Sequence, residues 1–282
     1  MVCGVIGNPV EHTLSPVIHN TLAARLGINL VYVPFRVEES AVGDAVRGAA
    51  ALQLLGLNVT VPHKSAVIPF LTSVDPEAAL IGAVNTLVRE EQGYRGYNTD
   101  LQGLYRALLS EGIRLSGERV ILLGAGGAAR AAAFLCALRG AERVYLLNRS
   151  ADKAARVAEE ANRGTKRECV VPMALSDWRR IPGGRYLAIQ GTSVGLAPHT
   201  EEAVIGEEEF YRMIHTGFDL VYRPADTKFM RLVRAAGGRA YNGLKMLLYQ
   251  GIEAFELWNG IKVTEDAAAV CYEQMKRSMG LS

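Results

Sequence analysis

The chain has 282 residues and a mass of 30.5 kDa, enough for two compact domains that each bury a core of their own. Hydrophobic residues make up 49% of the sequence and charged residues 21%, as in ordinary soluble globular proteins. The formal net charge of +2 excludes a broad electrostatic attraction to nucleic acid or to an anionic membrane, so we expect neither as a partner.

The cysteine pattern and the apolar runs exclude several further classes. The four cysteines, Cys3, Cys136, Cys169 and Cys271, lie far apart and share no CxxC or Cys/His spacing. This pattern disfavours a metal site and a disulfide framework, and it predicts a reducing, cytoplasmic location. The N-terminal MVCGVIGNP has no signal-peptide pattern, and no run approaches the roughly 20 apolar residues of a membrane helix.

Short apolar runs alternate with helical patterns over the first hundred residues. Val2–Gly7 predicts a strand. Ser15-Pro16 predicts a helix start, with Ser15 as the cap, and Gly27 a left-handed exit from that helix. Further strands are expected at Val31–Val37 and at Gly56–Val61. Strands that alternate with helices indicate a mostly parallel sheet covered by helices.

A second series of elements follows a predicted helix over Leu101–Glu111. An apolar strand at Arg119–Leu123 leads through a loop of small residues into a helix over Ala128–Arg139. Later strands of this sheet are expected at Arg143–Leu147, Tyr186–Gln190 and Phe218–Tyr222. Near the C-terminus, apolar residues from Leu244 to Phe255 recur at helical spacing, and Thr264 is expected to cap a last helix.

The loop between the strand and the helix of the second series carries a glycine-rich motif. It fits G-x-G-x-x-A and comprises Gly124, Ala125, Gly126, Gly127, Ala128 and Ala129. Glycines there permit a tight turn and a close backbone approach, so a pyrophosphate can bind at the positive helix N-terminus. Similar turns also serve ordinary helix–strand packing, but the strand–loop–helix context favours a dinucleotide site.

The end of the next strand indicates which dinucleotide binds. NAD sites usually place Asp or Glu there to bind the ribose 2′-hydroxyl. This chain instead has Asn148-Arg149-Ser150, with Lys153 in the following turn. An arginine fork binds a phosphate well, whereas a carboxylate would repel the 2′-phosphate of NADP. The sequence therefore predicts NADP(H) as the cofactor, with Arg149 as a mere surface charge as the alternative.

The order of these patterns predicts an α/β protein of two domains. Residues 1–100 and 241–282 are expected to form a substrate-binding domain with a mostly parallel sheet. Residues 101–240 are expected to form a Rossmann-type dinucleotide-binding domain inserted into it. No repeat or low-complexity tract interrupts either part.

Three segments of the first domain carry polar residues where core packing does not require them. They are His12–Pro16, Asn58–Lys64, and Gly82–Thr86 followed by Gly96–Asp100. Helix capping, a solvated lysine and turn chemistry each explain one segment taken alone. Together and in this order, they resemble the shikimate dehydrogenase family over nearly the whole chain. The later G-A-G-G-A-A-R, N-R-S-x-x-K, T-S-V-G, D-L-V-Y-R-P and G-L-K-M-L-L-Y-Q motifs add to the resemblance.

The resemblance implies reversible reduction of 3-dehydroshikimate to shikimate with NADPH and a role for each matching residue. It implies that Lys64 and Asp100 are the catalytic pair. We expect Lys64 mainly to stabilise negative charge on the carbonyl oxygen and to complete proton transfer, with Asp100 setting the geometry. The implied substrate-binding residues are Thr13, Ser15, Asn58, Thr60, Asn85, Tyr222 and Gln250. The implied cofactor-binding residues are Gly124, Ala125, Gly126, Gly127, Ala128, Asn148, Arg149, Ser150, Lys153, Thr192, Leu220 and Gly243.

Departures from the family pattern leave alternatives open. Thr13 stands where serine is more frequent, and its methyl group narrows the pocket where quinate carries an extra hydroxyl. A quinate/shikimate dehydrogenase is therefore the first alternative, and a catalytically silent ligand-binding module the second. His63 is expected to be a surface imidazole, and the family usually has an asparagine near the position of Gln190. We expect a monomer or a homodimer.

Overall fold

The chain folds into two compact units in the computed structural model, which describes residues 1–281. One unit comprises Met1–Gly103 together with the chain from Leu247 onward, and we call it the terminal unit. The other comprises Leu104–Met246, and we call it the central unit. Each unit contains one six-stranded sheet, so the protein is α/β.

The strands and helices follow one another along the chain in an alternating series. The strands are β1 (Val2–Gly7), β2 (Val31–Arg36), β3 (Gly56–Val59), β4 (Ser73–Val74), β5 (Thr86–Glu90), β6 (Gly93–Tyr97), β7 (Arg119–Leu123), β8 (Arg143–Asn148), β9 (Val170–Ala174), β10 (Tyr186–Gln190), β11 (Ile214–Asp219) and β12 (Arg239–Tyr241). The helices are α1 (Ser15–Leu26), α2 (Val42–Ala51), α3 (Pro76–Ile81), α4 (Thr99–Ser110), α5 (Gly127–Leu138), α6 (Ala151–Thr165), α7 (Glu208–Arg212), α8 (Lys228–Ala235), α9 (Leu244–Asn259) and α10 (Glu265–Ser278).

The sheet of the terminal unit is mixed, in the order β2-β1-β3-β5-β6-β4. Strand β1 runs parallel to β2 and β3, whereas β5 is antiparallel to both β3 and β6. Strands β4 and β6 are parallel as well, so three of the five pairings are parallel and the expected mostly parallel sheet holds except at β5. Strand β5 is antiparallel to β6 because the short turn between them leaves no room for a crossover helix.

The sheet of the central unit is parallel throughout, in the order β12-β11-β10-β7-β8-β9. Counted from β7, this is the strand order 3-2-1-4-5-6 of the dinucleotide-binding Rossmann fold. The order reverses between β7 and β10, and the crevice at such a point is where ligands bind in open α/β sheets. The predicted Rossmann-type sheet is confirmed.

The ends of helix α1 show which local signals act. Proline stands in its first turn, and Gly27 ends it in the left-handed conformation with φ of 66°, as the sequence predicts. The N-cap residue is Leu14, however, and no side chain caps the helix. The predicted Ser15 cap was wrong, because Ser15 already lies inside the helix and its amide donates to the Thr13 hydroxyl.

The predicted Thr264 cap of α10 is confirmed, since the Thr264 side chain accepts from the Ala267 amide.

Two predicted strands differ from their expected ends by two residues or more. Strand β3 stops at Val59 instead of Val61, because the His63 amide donates to the Thr60 carbonyl and closes a turn. The strand expected at Phe218–Tyr222 lies at Ile214–Asp219. There the Asp219 carboxylate accepts from the Val221 amide, which turns the chain out of the sheet although the residues that follow are apolar.

The described residues show neither a membrane-crossing helix nor a metal cluster. None of the helices in residues 1–281 is long and apolar enough to cross a membrane. In the same residues, no group of three or more His, Cys, Asp or Glu side chains is placed to hold a metal ion. The four cysteines are buried thiols outside disulfides.

Candidate active site

Lys64 lies in the turn that follows β3 in the terminal unit. Its main chain is held by the Val84 amide, which donates to the Lys64 carbonyl at 2.8 Å. Its ammonium donates to Asp100 Oδ2, with a distance of 2.5 Å between Nζ and Oδ2. The side chains of the pair are 31% and 18% exposed, so both ions remain accessible to a ligand. The structure thus brings together the two residues expected to be catalytic.

Asp100 is held at the start of α4 by partners on either side. Its amide donates to Asn98 Oδ1 at 3.1 Å, and its Oδ1 accepts from Asn85 Nδ2 at 2.8 Å. The first turn of a helix favours a carboxylate, because free amides and the helix dipole place positive charge there. Both carboxylate oxygens therefore accept a hydrogen bond, one from Lys64 and one from Asn85.

The threonine and serine expected to bind a carboxylate lie next to each other at the start of α1. The Thr13 hydroxyl donates to Ser15 Oγ at 3.0 Å, and the Ser15 amide donates to Thr13 Oγ1 at 3.2 Å. Thr13 is half-buried and Ser15 is buried. Proximity to a helix N-terminus suits an anionic group, as the sequence analysis expected.

The residues expected to bind ring hydroxyls differ in their surroundings. Asn58 is buried in β3 and Thr60 is half-buried just after it. Gln250 lies on α9, where its Nε2 donates to the Leu247 carbonyl and its backbone packs closely on Gly103 of α4. The terminal unit therefore contains eight of the nine predicted catalytic and substrate-binding residues, and Tyr222 lies in the central unit.

His63 is fully buried, so the expectation of a surface imidazole was wrong. Its Nε2 lies 2.7 Å from the Val37 carbonyl and donates to it, since a carbonyl oxygen only accepts. The Val37 amide in turn donates to the Gly7 carbonyl. His63 thereby ties the turn that carries Lys64 to the ends of β1 and β2.

The glycine-rich loop of the central unit has the geometry of a phosphate cradle. Helix α5 begins at Gly127 with Gly126 as its N-cap residue and with no side-chain cap. A Cβ at Gly126 or Gly127 would face open space, so the backbone there is uncovered. Gly124 has φ of 107° and lies so close to Thr192 that a Cβ would collide with that side chain. Uncovered amides at a helix start fit a pyrophosphate.

The segment after β8 starts helix α6 with exposed cationic side chains. Ser150 caps the helix by accepting from the Lys153 amide, and Asn148 Nδ2 donates to the Ser150 carbonyl at 3.0 Å. Arg149 and Lys153 are exposed. No acidic residue ends β8. A cationic fork beside a helix N-terminus fits a 2′-phosphate better than a free 2′-hydroxyl.

Thr192, Leu220 and Gly243 follow the ends of three neighbouring strands of the central unit, β10, β11 and β12. The Thr192 amide donates to Gln190 Oε1 at 2.5 Å, and its hydroxyl accepts from the Val194 amide. A Cβ at Gly243 would collide with the Leu220 carbonyl, so glycine is required for this close approach. Burial raises the pKa of the half-buried Tyr222 above its usual value, which keeps this phenol protonated as a donor.

A buried carboxyl group, Asp219, organises these turns and was missed by the sequence analysis. It accepts from Gln190 Nε2 at 3.2 Å, from the Val221 amide at 3.0 Å and from the Thr227 hydroxyl at 2.6 Å. Burial raises its pKa to about 7, although the three donors act in the opposite direction. Its position in the D-L-V-Y-R-P motif was a signal, but the motif does not reveal that the group faces Gln190.

Comparison with known proteins gives one consistent family. A model of the shikimate dehydrogenase substrate-binding domain matches residues 5–87, and one of the shikimate 5'-dehydrogenase C-terminal domain matches residues 243–268. The curated shikimate dehydrogenase (NADP(+)) of Moorella thermoacetica is 42% identical over 279 residues, which cover 99% of this chain and 93% of the relative.

Solved structures agree with these matches. A crystal structure of a shikimate dehydrogenase in complex with NADP+ has a TM-score of 0.89 at 32% identity, covering 100% of this chain and 96% of that one. A quinate dehydrogenase from Corynebacterium glutamicum in complex with NAD has a TM-score of 0.89 at 25% identity, covering 98% and 99%. The identity to the curated relative extends over nearly the whole length, and the chain belongs to the shikimate dehydrogenase family.

Proposed function

We propose that the protein catalyses the reversible, NADP-dependent reduction of 3-dehydroshikimate to shikimate. The observation that carries this proposal is the Lys64–Asp100 pair, with Asn85 on the second carboxylate oxygen, in a chain 42% identical to a shikimate dehydrogenase (NADP(+)). A carbonyl oxygen that gains negative charge requires a proton donor nearby, and a partly exposed ammonium held by an anion can be that donor.

The residues of the central unit suit NADP(H) as the cofactor. The uncovered amides at Gly126 and Gly127 would bind the pyrophosphate, and Arg149 with Lys153 would bind the 2′-phosphate. Thr192, Leu220 and Gly243 line the turns expected to contact the rest of the molecule. When bound, NADPH supplies the hydride that reduces the ketone carbon.

The side chains of the terminal unit act on the substrate and its oxygen. Lys64 stabilises the negative charge that develops on the carbonyl oxygen and delivers the proton from Nζ, while Asp100 fixes the direction of that ammonium. Thr13 and Ser15 bind the carboxylate, and Asn58, Thr60, Asn85 and Gln250 bind hydroxyl groups. In the direction of oxidation, the same Lys64 nitrogen accepts the hydroxyl proton.

The domain organisation belongs to the same proposal. We propose a catalytic domain of residues 1–100 and 241–282 with an NADP-binding domain of residues 101–240 inserted between its parts. The division of the chain after Gly103 and after Met246 supports these boundaries to within a few residues. A monomer or a homodimer in the cytoplasm stays our prediction.

A relaxed substrate choice is the second candidate, and Thr13 is the observation that favours it. Its hydroxyl is directed to Ser15, which leaves its methyl group to shape the carboxylate end of the pocket. The likeness to a quinate dehydrogenase in complex with NAD makes quinate the alternative acid and NAD the alternative cofactor. A silent binding module is disfavoured because Lys64 and Asp100 are both present and paired.

A four-way steady-state comparison tests the proposal: shikimate or quinate, each with NADP or NAD. We expect the highest kcat/KM with shikimate and NADP. Equal kcat/KM values for the two acids would establish the quinate/shikimate alternative, and equal values for the two cofactors would remove the role of Arg149. No turnover with any combination would contradict the proposal and favour the silent module.

A further inference from the structure

A row of polar side chains is buried behind Asp100 in the terminal unit. Asn58, Asn85, Thr86 and Thr99 are each less than a tenth exposed. Because a buried polar atom without a partner costs free energy, each of these groups needs a hydrogen bond inside the protein. The pattern of those hydrogen bonds therefore shows which group the buried side chains orient.

The bonds form a chain that starts at Tyr32 and ends at Asp100. The Tyr32 hydroxyl donates to Asn58 Oδ1 at 2.7 Å, and Asn58 Nδ2 donates to Thr86 Oγ1 at 3.0 Å. The Thr86 hydroxyl donates to Asn85 Oδ1 at 3.1 Å. Asn85 Nδ2 then donates to Asp100 Oδ1 at 2.8 Å. Every donor along this chain points toward the carboxylate.

The direction of the chain follows from the number of protons each group carries. A hydroxyl group has one proton to donate. Because the Thr86 oxygen accepts a hydrogen bond from Asn58, the Thr86 proton is donated to Asn85 Oδ1. The amide and hydroxyl of Thr99 donate to the same Asn85 oxygen at 2.7 and 3.2 Å. The Asn85 oxygen therefore faces donors, and its nitrogen is turned to Asp100. The reversed amide would set an oxygen against the carboxylate.

Tyr32, where this chain of hydrogen bonds starts, is held in place by aromatic packing. The Tyr32 ring stacks on the His19 ring, with 4.2 Å between the centroids and 17° between the planes. Burial raises the pKa of Tyr32 well above its usual value, an effect that the neighbouring Ser15 hydroxyl opposes, so the phenol keeps its proton and remains a donor. Burial also lowers the pKa of His19 to about 3, so the ring beneath it stays neutral.

We propose that Tyr32, Asn58, Thr86 and Thr99 are positioning residues, which orient the Asn85 amide and through it hold Asp100 toward Lys64. The inference rests on the proposed function, because it assigns a purpose to the geometry of the Lys64–Asp100 pair. It also gives Asn58 a second role. Both Nδ2 protons of Asn58 are used by the Asn85 carbonyl and Thr86, whereas its Oδ1 accepts from Tyr32 and keeps a second lone pair for a ring hydroxyl.

The test removes the hydroxyl group of Thr86, which lies at the centre of the chain of hydrogen bonds. Thr86→Val removes the hydroxyl at nearly constant shape, whereas Thr86→Ser keeps it. We expect kcat with shikimate and NADP to fall about tenfold in the valine variant, the equivalent of one hydrogen bond, and to stay near wild type in the serine variant. The KM for NADP should not change, because Thr86 lies in the terminal unit.

Two measurements separate positioning from a general loss of structure. Thr216→Val removes an equally buried threonine hydroxyl in β11 of the central unit, and it should leave kcat unchanged. Melting temperatures of all variants report folding. If Thr86→Val does not fold, Tyr32→Phe tests the other end of the chain, with an expected loss in kcat of about three- to tenfold.

A double-mutant cycle with Asn85→Ala shows whether Thr86 acts through Asn85. In that background Thr86→Val should have little further effect on kcat, since the amide that it orients is gone. An equal loss in both backgrounds would overturn the inference, as would a wild-type kcat in folded Thr86→Val or, if that variant does not fold, in Tyr32→Phe. Wild-type turnover of shikimate is measured first, so failure of the proposed function is recognised separately.

Discussion

At the scale of residues, the site combines accessible ions with a buried support. Lys64 and Asp100 keep part of their surface exposed, while Asn85 behind them is buried and hydrogen-bonded through both its oxygen and its nitrogen. Exposure lets a substrate reach the ammonium, and burial of the support limits how far the carboxylate can turn away. In the proposed reaction, this division lets two ordinary side chains direct a proton transfer.

Removing the ammonium tests the catalytic assignment. Lys64→Ala should lower kcat by roughly 10²- to 10⁴-fold, the usual contribution of a general acid, with a smaller effect on the KM for shikimate. Steady-state kinetics measure both quantities. Lys276→Ala, at a surface pair with Glu273 on α10, is the matched control and should keep wild-type kcat. Turnover of Lys64→Ala at the wild-type rate would exclude the assignment.

Removing the exposed guanidinium after β8 tests the choice of cofactor. Arg149→Ala should raise the KM for NADP about ten- to hundredfold, because a charged hydrogen bond to the 2′-phosphate is lost. The KM for NAD should change little. Arg163→Ala, on helix α6 that follows Arg149 in the sequence, is the control, and Arg163 pairs with Glu159. An equal change in both KM values would show that Arg149 does not distinguish the two cofactors.

At the scale of elements, close helix packing positions Gln250. Gly103 on α4 lies so near α9 that a Cβ would come within 2.7 Å of the Gln250 backbone nitrogen. Asp100 and Gly103 are three residues apart and therefore lie on neighbouring turns of one helix face. The glycine thus lets the helix that carries Asp100 approach the helix that carries Gln250.

A methyl group at this contact should therefore cost both stability and substrate binding. Gly103→Ala should lower the free energy of unfolding by about 1–3 kcal/mol through overpacking and should raise the KM for shikimate. Gly48→Ala in α2 is the matched control, because a Cβ there meets open space, and it should be neutral or stabilising. Chemical denaturation and steady-state kinetics measure the two effects. Equal unfolding free energies for the two variants would contradict this packing argument.

The strands also show which parts of the fold the sequence patterns can predict. Strands β1 and β10 have the predicted limits because apolar runs bounded by turn residues mark them clearly. The hairpin of β5 and β6 was missed, since the second strand, GYRGY, has two glycines and little apolar patterning. The register Thr86 opposite Tyr97 brings Asn85 near Asp100, and such pairing is not encoded in either segment alone.

At the scale of the whole molecule, the candidate site was predictable as a set of residues but not as a network. Lys64 and Asp100 are 36 positions apart, and Tyr32 and Asn58 are 26 apart. Each looks ordinary in its own segment, and only the fold brings them together. The resemblance to a family supplied the residues expected to contact the substrate, whereas Tyr32, Thr86, Thr99 and Asp219 became visible through their hydrogen bonds.

The buried carboxyl group of the central unit should make stability depend on pH. The pKa of Asp219 is raised from 3.8 to about 7 by burial, so between these values the folded state binds more protons than the unfolded state. Its contribution therefore lowers stability as pH rises through this window, and the loss is complete above about pH 7. Asp219→Asn lacks this titration.

Thermal melting of the wild type and Asp219→Asn at about pH 5 and about pH 8 measures this contribution. The melting temperature of the wild type relative to the variant should be lower at the higher pH. A difference between the two proteins that is the same at both pH values would show that Asp219 does not titrate in this range.

The most direct test of the central claim is the absorbance of NADPH after wild-type protein is mixed with shikimate and NADP. We predict a steady increase in NADPH that requires both the acid and the cofactor, and that reverses when 3-dehydroshikimate and NADPH are supplied instead. An absence of NADPH formation by folded protein would contradict the account, whatever the geometry of Lys64 and Asp100.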